Sequence, residues 1–403
     1  MKLFSRLLAL VAALSLAFSL AACNNSDDET NENLVGWAFE YKEEDVAEED
    51  LTEGGKTKYL VISGLFLADG TAVSVNEEDF EAVTVTMNDG ITVADLNDKD
   101  EKQYAEADKD GKQALKTKTI SFADYDHVEI AEDAFTNQKF IGGVEIGAAV
   151  TKIGAASFAG CSNLKSMVLP FVGTSADAVN GGKVLGCLIG TVEADGCTSV
   201  EMSYNTSGKT SYYLPDSLES VTVKGATGYE LPRYAFNKIA TLKTVVVENA
   251  VKIGASAFAG CTARTDFAVA STVTEIGDSA FSGCSALIRV DFSAASALTK
   301  IGQKAFENCT KLGYGKSYQV VIPASVTELG AYAFYKCTSL KSVDVSNLSV
   351  IEEACFYGCS TLETVVLKNG AVLKVCSFAD CEKLEKSSLD AYSPVNEGAF
   401  GNE

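Results

Sequence analysis

The stretch "AVKIGASAFAGC", residues 250–261, decides the fold, because the Phe-x-x-Cys that ends it returns again and again along the chain. Between the later copies the interval is 22 residues or slightly more. A phrase that repeats at a nearly fixed spacing is typical of a solenoid, in which each unit buries its apolar face only against its neighbours. The seven copies are Phe158 and Cys161, Phe258 and Cys261, Phe281 and Cys284, Phe306 and Cys309, Phe334 and Cys337, Phe356 and Cys359, and Phe378 and Cys381.

The residues around each copy define one coil of this solenoid. An aliphatic residue stands five positions before each phenylalanine, as Ile253 does before Phe258, and glycine often follows it. Leucine comes three residues after most of the cysteines, and a β-prone segment such as "SVDV" (342–345) comes next. One coil is therefore predicted to contain a short strand, a short helical turn with Ala-Phe-x-x-Cys, and a second strand. Parallel strands lie about 4.8 Å apart and have right-handed crossovers, so we predict a right-handed stack of about 22-residue coils.

The repeated cysteine could be a metal ligand, half of a disulfide or part of the core. A structural zinc site needs clustered ligands, whereas here the cysteines come one per coil. Cα atoms on adjacent rungs would lie about 5 Å apart, so distance alone permits a disulfide. Gln138 and Ile239 fill the same slot in other coils, however, and isoleucine can neither bind metal nor oxidise. We predict reduced cysteines that act as small hydrophobic core residues, with no metal and no cofactor.

The N-terminus carries an export signal. Two basic residues precede the apolar run "LLALVAALSLAFSL", which is too short and too near the terminus for an ordinary membrane span. The sequence "LAAC", residues 20–23, resembles the lipobox of bacterial lipoprotein precursors, which implies cleavage before Cys23 and a lipid on its thiol. We predict a lipoprotein signal peptide over residues 1–22, membrane attachment through Cys23, and a flexible acidic tether over residues 23–33. The alternative is a plain secretory signal with an incidental cysteine, and both readings imply export.

Two further parts of the chain depart from the repeat. Residues 34–118 contain β-rich runs such as "YLVISGLFL" (59–67), which predict either a small β region or divergent first coils that cap the array. The solenoid is predicted to span residues 119–403. An insertion at about residues 171–217 interrupts it, and we expect this insertion to fold as one or two β-hairpins on one face.

Two cysteines of the insertion belong to no repeat. Cys187 and Cys197 are ten residues apart, and in an exported protein they could close a hairpin-sized loop with a disulfide. Two free thiols are the alternative, and the spacing does not decide between them.

Composition and motifs argue against nucleic-acid binding and catalysis. The chain has 33 Lys+Arg against 55 Asp+Glu, and no basic run that could bind phosphates. Its single histidine, His127, has no nucleophile motif nearby and is predicted to be an exposed loop residue. "EADKDG", residues 106–111, resembles a calcium loop only weakly, because Thr117 stands where the bidentate glutamate belongs. We therefore predict no enzyme activity and no nucleic-acid partner.

The outward side of the second strand is the candidate binding surface. Its residues are small, polar or β-branched, which indicates a flat and partly apolar face suited to a protein or glycan ligand. The alternative is an ordinary solvent-exposed sheet face with no ligand. The candidate ligand-binding residues are Ser166, Thr222, Thr244, Arg289, Asp291, Gln319, Ser342, Asp344 and Thr364.

The whole phrase I-G-x-x-A-F-x-x-C-x-x-L-x-x-V-x-(I/V)-P resembles the leucine-rich repeat of BspA-like, or Treponema pallidum-type, bacterial surface proteins over roughly residues 119–400. The resemblance implies a leucine-rich repeat solenoid on the cell surface, used in attachment to host or matrix proteins and in coaggregation, without a catalytic motif. It implies no fixed site residues. We expect a lipid-anchored adhesion or protein-binding molecule, with a periplasmic or envelope structural protein as the alternative.

Overall fold

The computed structural model describes residues 34–45, 56–67, 83–94, 117–178, 180–315, 319–385, 389 and 397–401. The predicted signal peptide, Cys23, the acidic tether and residues 106–111 all lie outside this set. In the described part of the chain, no helix has the length and apolar character needed to cross a membrane. The described coils stack in chain order, with parallel strands on successive rungs, so the predicted solenoid fold is confirmed.

Most of the described strands are short and pair in parallel across coils. Their bounds are β1 (Leu34–Asp45), β2 (Lys56–Leu67), β3 (Val83–Met87), β4 (Gly90–Ala94), β5 (Thr117–Ser121), β6 (His127–Ile130), β7 (Ile141–Ile146), β8 (Val150–Ile153), β9 (Ser166–Leu169), β10 (Cys197–Ser203), β11 (Lys209–Pro215), β12 (Ser220–Leu231), β13 (Thr244–Ile253), β14 (Asp266–Ala268), β15 (Glu275–Ile276), β16 (Arg289–Asp291), β17 (Lys300–Ile301), β18 (Val320–Val321), β19 (Glu328–Leu329), β20 (Ser342–Val345), β21 (Val350–Ile351), β22 (Thr364–Leu367) and β23 (Val372–Leu373). One α-helix of four residues, α1 (Gly186–Ile189), lies in the insertion.

Each coil contributes to two sheet layers. In the first layer the strand precedes the turn, and β13, β15, β17 and β19 place Ile253, Ile276, Ile301 and Leu329 side by side. In the second layer the strand follows the turn, and β7, β9, β12 and β13 are neighbours. The same layer continues along the chain as β14 with β16, and then as β18, β20 and β22. Aliphatic side chains from both layers point into one continuous core.

The turn between the two strands is not helical. In the coil of Phe258, the amide of Ala257 donates to the carbonyl of Gly254, and the amide of Cys261 donates to that of Phe258, at 3.2 and 3.0 Å. Ser256 and Gly260 have φ angles of 54° and 77°, in the left-handed region. A run of β-turns with positive φ at the third residue gives this pattern, so the predicted helical turn is wrong in its backbone conformation.

Alternate amides of the turn bond to the following coil. The amides of Ser256, Phe258 and Gly260 donate to the carbonyls of Asp278, Ala280 and Ser282, at 2.8 to 2.9 Å. A helix would direct these amides along its own axis, whereas here they point to the neighbour. The turn layer therefore forms a third hydrogen-bonded ladder between coils, and it fixes the phenylalanine side chains in a column.

The phenylalanine column is the centre of the core. Phe258, Phe281, Phe306, Phe334 and Phe356 are fully buried, and consecutive rings lie 5.0 to 5.4 Å apart in stacked arrangements. Rings at this distance gain both apolar burial and a favourable offset-stacking contribution. The distance between consecutive rings is thus close to the spacing of neighbouring strands, about 4.8 Å.

The insertion supplies one rung of its own. The amide of Phe158 donates to the carbonyl of Leu188 at 2.9 Å, and the amide of Leu185 donates to that of Ala235 at 2.9 Å. The segment around α1 therefore fills the turn layer between the coils of Phe158 and Phe236, and β12 fills the strand layer between β9 and β13. The 78-residue gap holds a coil without a phenylalanine, which the repeat pattern could not reveal.

The rest of the insertion includes an antiparallel hairpin, formed by β10 and β11. It packs on the turn side of the solenoid, where the amide of Ser203 donates to Oδ1 of Asn237 and Nδ2 of Asn237 donates to the carbonyl of Ser203, both at 3.0 Å. Asn237 follows Phe236 in the turn, so the hairpin lies beside the turn layer and away from the candidate binding surface.

Two strands of the N-terminal segment continue the solenoid, while β4 and β5 form a separate antiparallel pair. β2 pairs in parallel with β6, and β3 pairs in parallel with β7, so these strands add one rung before the first repeat. β1 lies antiparallel on the outer edge of β2. An antiparallel strand on the first rung ends the parallel stacking, which is how a cap terminates a repeat array.

Candidate functional site

The outward side of the second sheet layer forms a continuous surface, here called the strand face. Residues alternate between core and solvent along each strand, so that Val343 and Val345 of β20 are buried while Ser342 and Asp344 are partly exposed. The strand face consists of Ser166, Val168, Ser220, Thr222, Thr244, Val246, Asp266, Ala268, Arg289, Asp291, Gln319, Val321, Ser342, Asp344, Thr364 and Val366.

Strand register aligns these residues in rows. Ser166 pairs with Ser220 and Ser220 with Thr244, so three hydroxyl groups occupy equivalent positions on neighbouring rungs. Ser342 and Thr364 form a similar pair on β20 and β22. Because neighbouring strands are about 4.8 Å apart, the rows present hydrogen-bonding groups at a regular spacing.

The candidate residues differ in their exposure. Each of the nine residues reaches solvent, and none of them lies in the core. Thr244, Arg289, Asp291, Gln319 and Thr364 are exposed, and Ser166, Thr222, Ser342 and Asp344 are half-buried. Two valines on the same face, Val246 and Val321, are 45% and 50% exposed. The surface therefore combines small polar groups with apolar ones.

Charge on the strand face is concentrated on β14 and β16. Nε of Arg289 lies 3.1 Å from Oδ1 of Asp266 on the adjacent strand. Oδ1 of Asp291 accepts a hydrogen bond from the amide of Ser293 at 2.9 Å, and this bond lowers the pKa of the Asp291 carboxyl. Arg289 therefore has one carboxylate opposite it on the adjacent strand and another two residues further along its own strand.

A buried arginine lies beneath this charged part of the face. Arg264 occupies the slot filled by leucine in other coils, such as Leu242 and Leu287, and it is only 3% exposed. Its Nη2 donates to the carbonyl of Val245 at 2.9 Å, while Nε and Nη1 have no described hydrogen-bond partner. Among the described strands, β14 pairs with β16 and not with β13, so Arg264 satisfies a carbonyl at this interruption of the ladder.

The repeated cysteines form a column of hydrogen-bond donors. In every coil with the motif, Sγ lies 3.1 to 3.2 Å from the carbonyl oxygen of the phenylalanine one rung earlier, as Cys284 does from Phe258. All seven thiols are buried, and burial raises the pKa of Cys161 and Cys381 to about 12. The thiol thus has a bonding role beyond that of a small hydrophobic residue. The sequence analysis did not predict this hydrogen-bonding role. The signal was that cysteine is among the smallest side chains that carry a hydrogen-bond donor.

We expect most of the described cysteine thiols to be unreactive in the native protein. Of the described cysteines, only Cys197 and Cys376 are half-buried, and the rest are buried. Because the thiolate is the reactive form, Ellman's reagent should label these two and spare the others until guanidinium is added. Rapid labelling of additional described cysteines in the folded protein, mapped by mass spectrometry, would contradict the buried column.

The structure describes Cys187 and Cys197 as free thiols, in contrast to the disulfide considered above. Cys187 lies in α1, inside the rung that the insertion contributes, and its Sγ donates to the carbonyl of Val184 at 2.9 Å. Cys197 begins β10 on the hairpin and pairs with Pro215. The two cysteines thus belong to different parts of the insertion, and burial raises the pKa of Cys187 to about 12.

The histidine prediction needs correction. His127 lies in β6, is half-buried, and stacks on Tyr59 with ring centroids 4.8 Å apart, so it is not an exposed loop residue. Asp126, beside it in sequence, accepts a hydrogen bond from the amide of Lys58 at 2.8 Å. Within the described residues, no group of three or more His, Cys, Asp or Glu side chains could hold a metal ion.

Comparison with known proteins places the repeats in a family. The chain matches the model of the BspA type leucine rich repeat region, in six copies, over residues 113–177, 229–317 and 313–403, which is more than half of its length. The unmatched stretch between the first two ranges contains α1 and the hairpin. No curated protein matches the chain.

Solved structures of similar proteins come from several bacteria. The chain is 26% identical to the Treponema pallidum leucine rich repeat protein, with 49% of this chain and 92% of that one covered and a TM-score of 0.38. It is 18% identical to a leucine-rich repeat protein from Bacteroides ovatus ATCC 8483, with coverages of 89% and 81% and a TM-score of 0.38. A leucine rich cell surface protein from Faecalibacterium prausnitzii A2-165 is 17% identical, with coverages of 93% and 100% and a TM-score of 0.29.

Proposed function

Because the chain belongs to the BspA type leucine-rich repeat family, we propose that it is a lipid-anchored bacterial surface protein that binds other proteins through its strand face. The partner is a protein of host cells, of the surrounding matrix or of a neighbouring cell, and no catalytic step is involved. The observation that carries this proposal is the strand face itself, where polar and apolar side chains stand in register over successive rungs.

A flat and regular surface of this kind suits a protein partner. Parallel pairing on both sides holds the backbone of inner strands such as β9 and β20, so little backbone freedom is lost when a ligand binds. Exposed Val246 and Val321 provide apolar contact area, and Arg289 provides the type of side chain that is enriched at interface hot spots. A small molecule would find no enclosing walls on such a face.

Attachment to the membrane is proposed to occur through Cys23. Each buried methylene of an acyl chain contributes about 0.8 kcal/mol, and more than one chain is needed for stable anchoring. The acidic residues that follow Cys23 would then separate the solenoid from the lipid surface.

The experiment compares the adhesion of intact cells that express the protein to surfaces coated with a panel of purified matrix proteins. We expect the wild type to adhere to at least one of them and the double variant Arg289→Ala/Asp291→Ala to adhere about tenfold less, since it loses charged contacts at the centre of the face. The matched control is Lys300→Ala/Glu328→Ala, which removes an exposed ion pair of 3.1 Å from the first sheet layer and should leave adhesion unchanged.

A third variant separates the anchor from the binding surface. Cys23→Ala should release the protein into the medium and abolish cell adhesion, while the released protein still binds the coated surface. Protection of the wild-type protein from added protease on intact cells would place it in the periplasm and overturn the surface proposal. Adhesion that persists in the Arg289→Ala/Asp291→Ala variant would remove the strand face from the interaction.

A further inference from the structure

The second sheet layer is open between the coils of Phe236 and Phe258. Among the described strands, β14 pairs with β16 and not with β13, and β13 and β14 share almost no Cα pair closer than 8 Å. Paired strands elsewhere in this layer are about 4.8 Å apart. The gap between residues 244–248 of β13 and residues 266–268 of β14 is here called the seam.

Backbone hydrogen bonds that join other coils are missing at the seam. In the next coil, the amides of Ile288 and Arg289 both donate to the carbonyl of Thr265, at 2.7 and 3.2 Å. The equivalent acceptor at the seam is the carbonyl of Lys243, and none of the described backbone amides donates to it. The coils are therefore not held together by a strand ladder at this place.

The core is also less well covered at the seam. Val247 of β13 is half-buried, whereas Val223, its register partner on β12, has no exposed surface. Leu169 and Val345 occupy the same position in other coils, and both are fully buried. The seam thus reaches from the strand face to the edge of the core.

The same two coils remain joined on their other sides. In the first layer, Glu230 and Leu231 pair with Lys252 and Ile253. In the turn layer, the amide of Phe236 donates to the carbonyl of Ala257 at 2.8 Å, and the rings of Phe236 and Phe258 stack at 5.4 Å. Two coils that are bonded along two sides and open along the third have the geometry of a hinge.

The length of the chain does not explain the seam. Phe236, Phe258 and Phe281 follow one another at intervals of 22 and 23 residues, which are ordinary for this array. The interruption between β16 and β18 is different, because the coil that begins at Phe306 is 28 residues long and its extra residues precede β18. The seam therefore needs a cause other than an insertion.

Arg264 provides that cause. It stands in the slot that leucine fills at Leu242 and Leu287, and its longer side chain is only 3% exposed. Nη2 donates to the carbonyl of Val245 at 2.9 Å, so the guanidinium takes an acceptor of β13 that points toward the next coil. The side chain thus occupies the place where a strand ladder would otherwise form.

We propose that the seam is a hinge of the solenoid and that Arg264 is the strut that holds it open. When the guanidinium leaves Val245, β14 approaches β13 and forms the ladder present in other coils. Closure gains backbone hydrogen bonds but deprives a buried guanidinium of its only described acceptor, which keeps the closed state in the minority.

The hinge divides the strand face into two parts. One part extends from Ser166 to Val246 and the other from Asp266 to Val366, and their relative tilt changes as the seam opens and closes. This inference rests on the geometry of the seam alone. It can therefore fail or hold independently of whether the strand face binds a partner protein.

The test is an engineered disulfide across the seam in the whole protein. Val246→Cys/Ala268→Cys changes equivalent positions of β13 and β14, and a disulfide requires Cα atoms within about 7 Å, so it forms only on closure. The background variant carries Cys197→Ser and Cys376→Ser, which remove the two half-buried native thiols. Oxidised glutathione accepts the two electrons and two protons and leaves as two molecules of reduced glutathione.

The matched control is Thr222→Cys/Val246→Cys, which joins β12 and β13 at residues that pair directly. We expect the seam disulfide to form at least about tenfold more slowly than the control, because a minor conformation is populated to roughly 10% or less. Adding Arg264→Leu should bring the seam to the control rate and leave the control itself unchanged. Mass spectrometry of digested protein measures the rates, and thermal unfolding of each variant checks that the fold is retained.

Three results would overturn the proposal. The first is no seam disulfide under conditions in which the control is fully oxidised, which would mean a fixed gap. The second is a seam rate equal to the control without Arg264→Leu, which would mean that no gap exists in solution. The third is a slow seam rate that Arg264→Leu does not change, which would mean that the arginine is not the strut.

Discussion

We expect Phe281→Ala to lower the free energy of unfolding by about 3–5 kcal/mol, the largest effect of any single truncation considered for this protein. Phe281 is fully buried and stacks on Phe258 at 5.0 Å and on Phe306 at 5.3 Å. Its edge also meets Phe267, with centroids 4.7 Å apart. Three coils contribute to the resulting cavity, and their backbones are fixed by hydrogen bonds on each side, so little collapse can relieve it.

Guanidinium denaturation with hydrogen exchange is the appropriate measurement, because a solenoid depends on contacts between neighbouring coils and can open locally. Exchange protection should fall mainly in the coils of Phe258, Phe281 and Phe306. The matched control is Phe400→Ala at the other end of the column, where the ring is half-buried and tilted, 6.4 Å from Phe378. An equal loss of stability in both variants would contradict a column whose strength comes from stacking on both sides.

Cys284→Ala provides a second comparison within the same coil. It removes only a thiol, together with its hydrogen bond of 3.1 Å to the carbonyl of Phe258, so the expected cost is about 1–2 kcal/mol. That carbonyl also accepts the amide of Cys261 at 3.0 Å and therefore keeps one partner. A loss as large as that of Phe281→Ala would contradict this, since it would mean that the thiol contributes as much to stability as the ring.

The stacking of coils could be predicted because it depends on the spacing of repeated residues along the chain. Ile253, Phe258 and Cys261 recur with their neighbours at nearly constant intervals, and each recurrence occupies one rung. The conformation of the turn could not be predicted in the same way. A spacing of three residues between Phe258 and Cys261 suits both a helical turn and a run of β-turns. The β-turns are favoured because their backbone amides donate hydrogen bonds to the next coil, and these contacts are not local in sequence.

Residues with positive φ mark the β-turns, but the identities of these residues do not predict a positive φ. Glycine fills one such position in several coils, whereas the other is filled by Ala156, Ser256, Tyr332 or Cys376, which have no strong preference for that region. The rung within the insertion was hidden for a related reason. Leu185 and Leu188 replace the usual phenylalanine motif, so only their packing identifies them as part of the array.

The candidate surfaces were predictable to different degrees. Alternation along each second strand correctly distinguishes core positions such as Val343 from solvent-facing ones such as Ser342. Whether the strand face binds a ligand remains a prediction. The contact between Tyr335 and Tyr357 could not be predicted, because the two residues are distant in sequence and meet only through coil stacking.

Arg264 is the clearest departure from the repeat within the core, and its burial has an energetic consequence. Desolvation lowers the pKa of its guanidinium from the ordinary arginine value to about 10. Since one pKa unit corresponds to about 1.4 kcal/mol, burial of the charge costs on the order of 3 kcal/mol at neutral pH. Contacts with the rings of Phe258 and Phe267, at 5.2 and 4.7 Å, and the bond to Val245 offset part of this cost.

We therefore expect Arg264→Leu to raise the free energy of unfolding by about 1–3 kcal/mol, because replacement of a buried charge by a well-packed apolar residue is often stabilising by this amount. Leucine is the residue that other coils carry in this slot, as at Leu242 and Leu287, so the space is compatible with its shape. Equilibrium denaturation at neutral pH measures the change. Arg264→Lys is the matched control, since it keeps a buried charge but loses the planar group that reaches Val245, and it should be less stable than the wild type. If Arg264→Leu proves less stable as well, the hydrogen bond and the ring contacts outweigh desolvation, and the arginine holds together the interrupted ladder between β13 and β14.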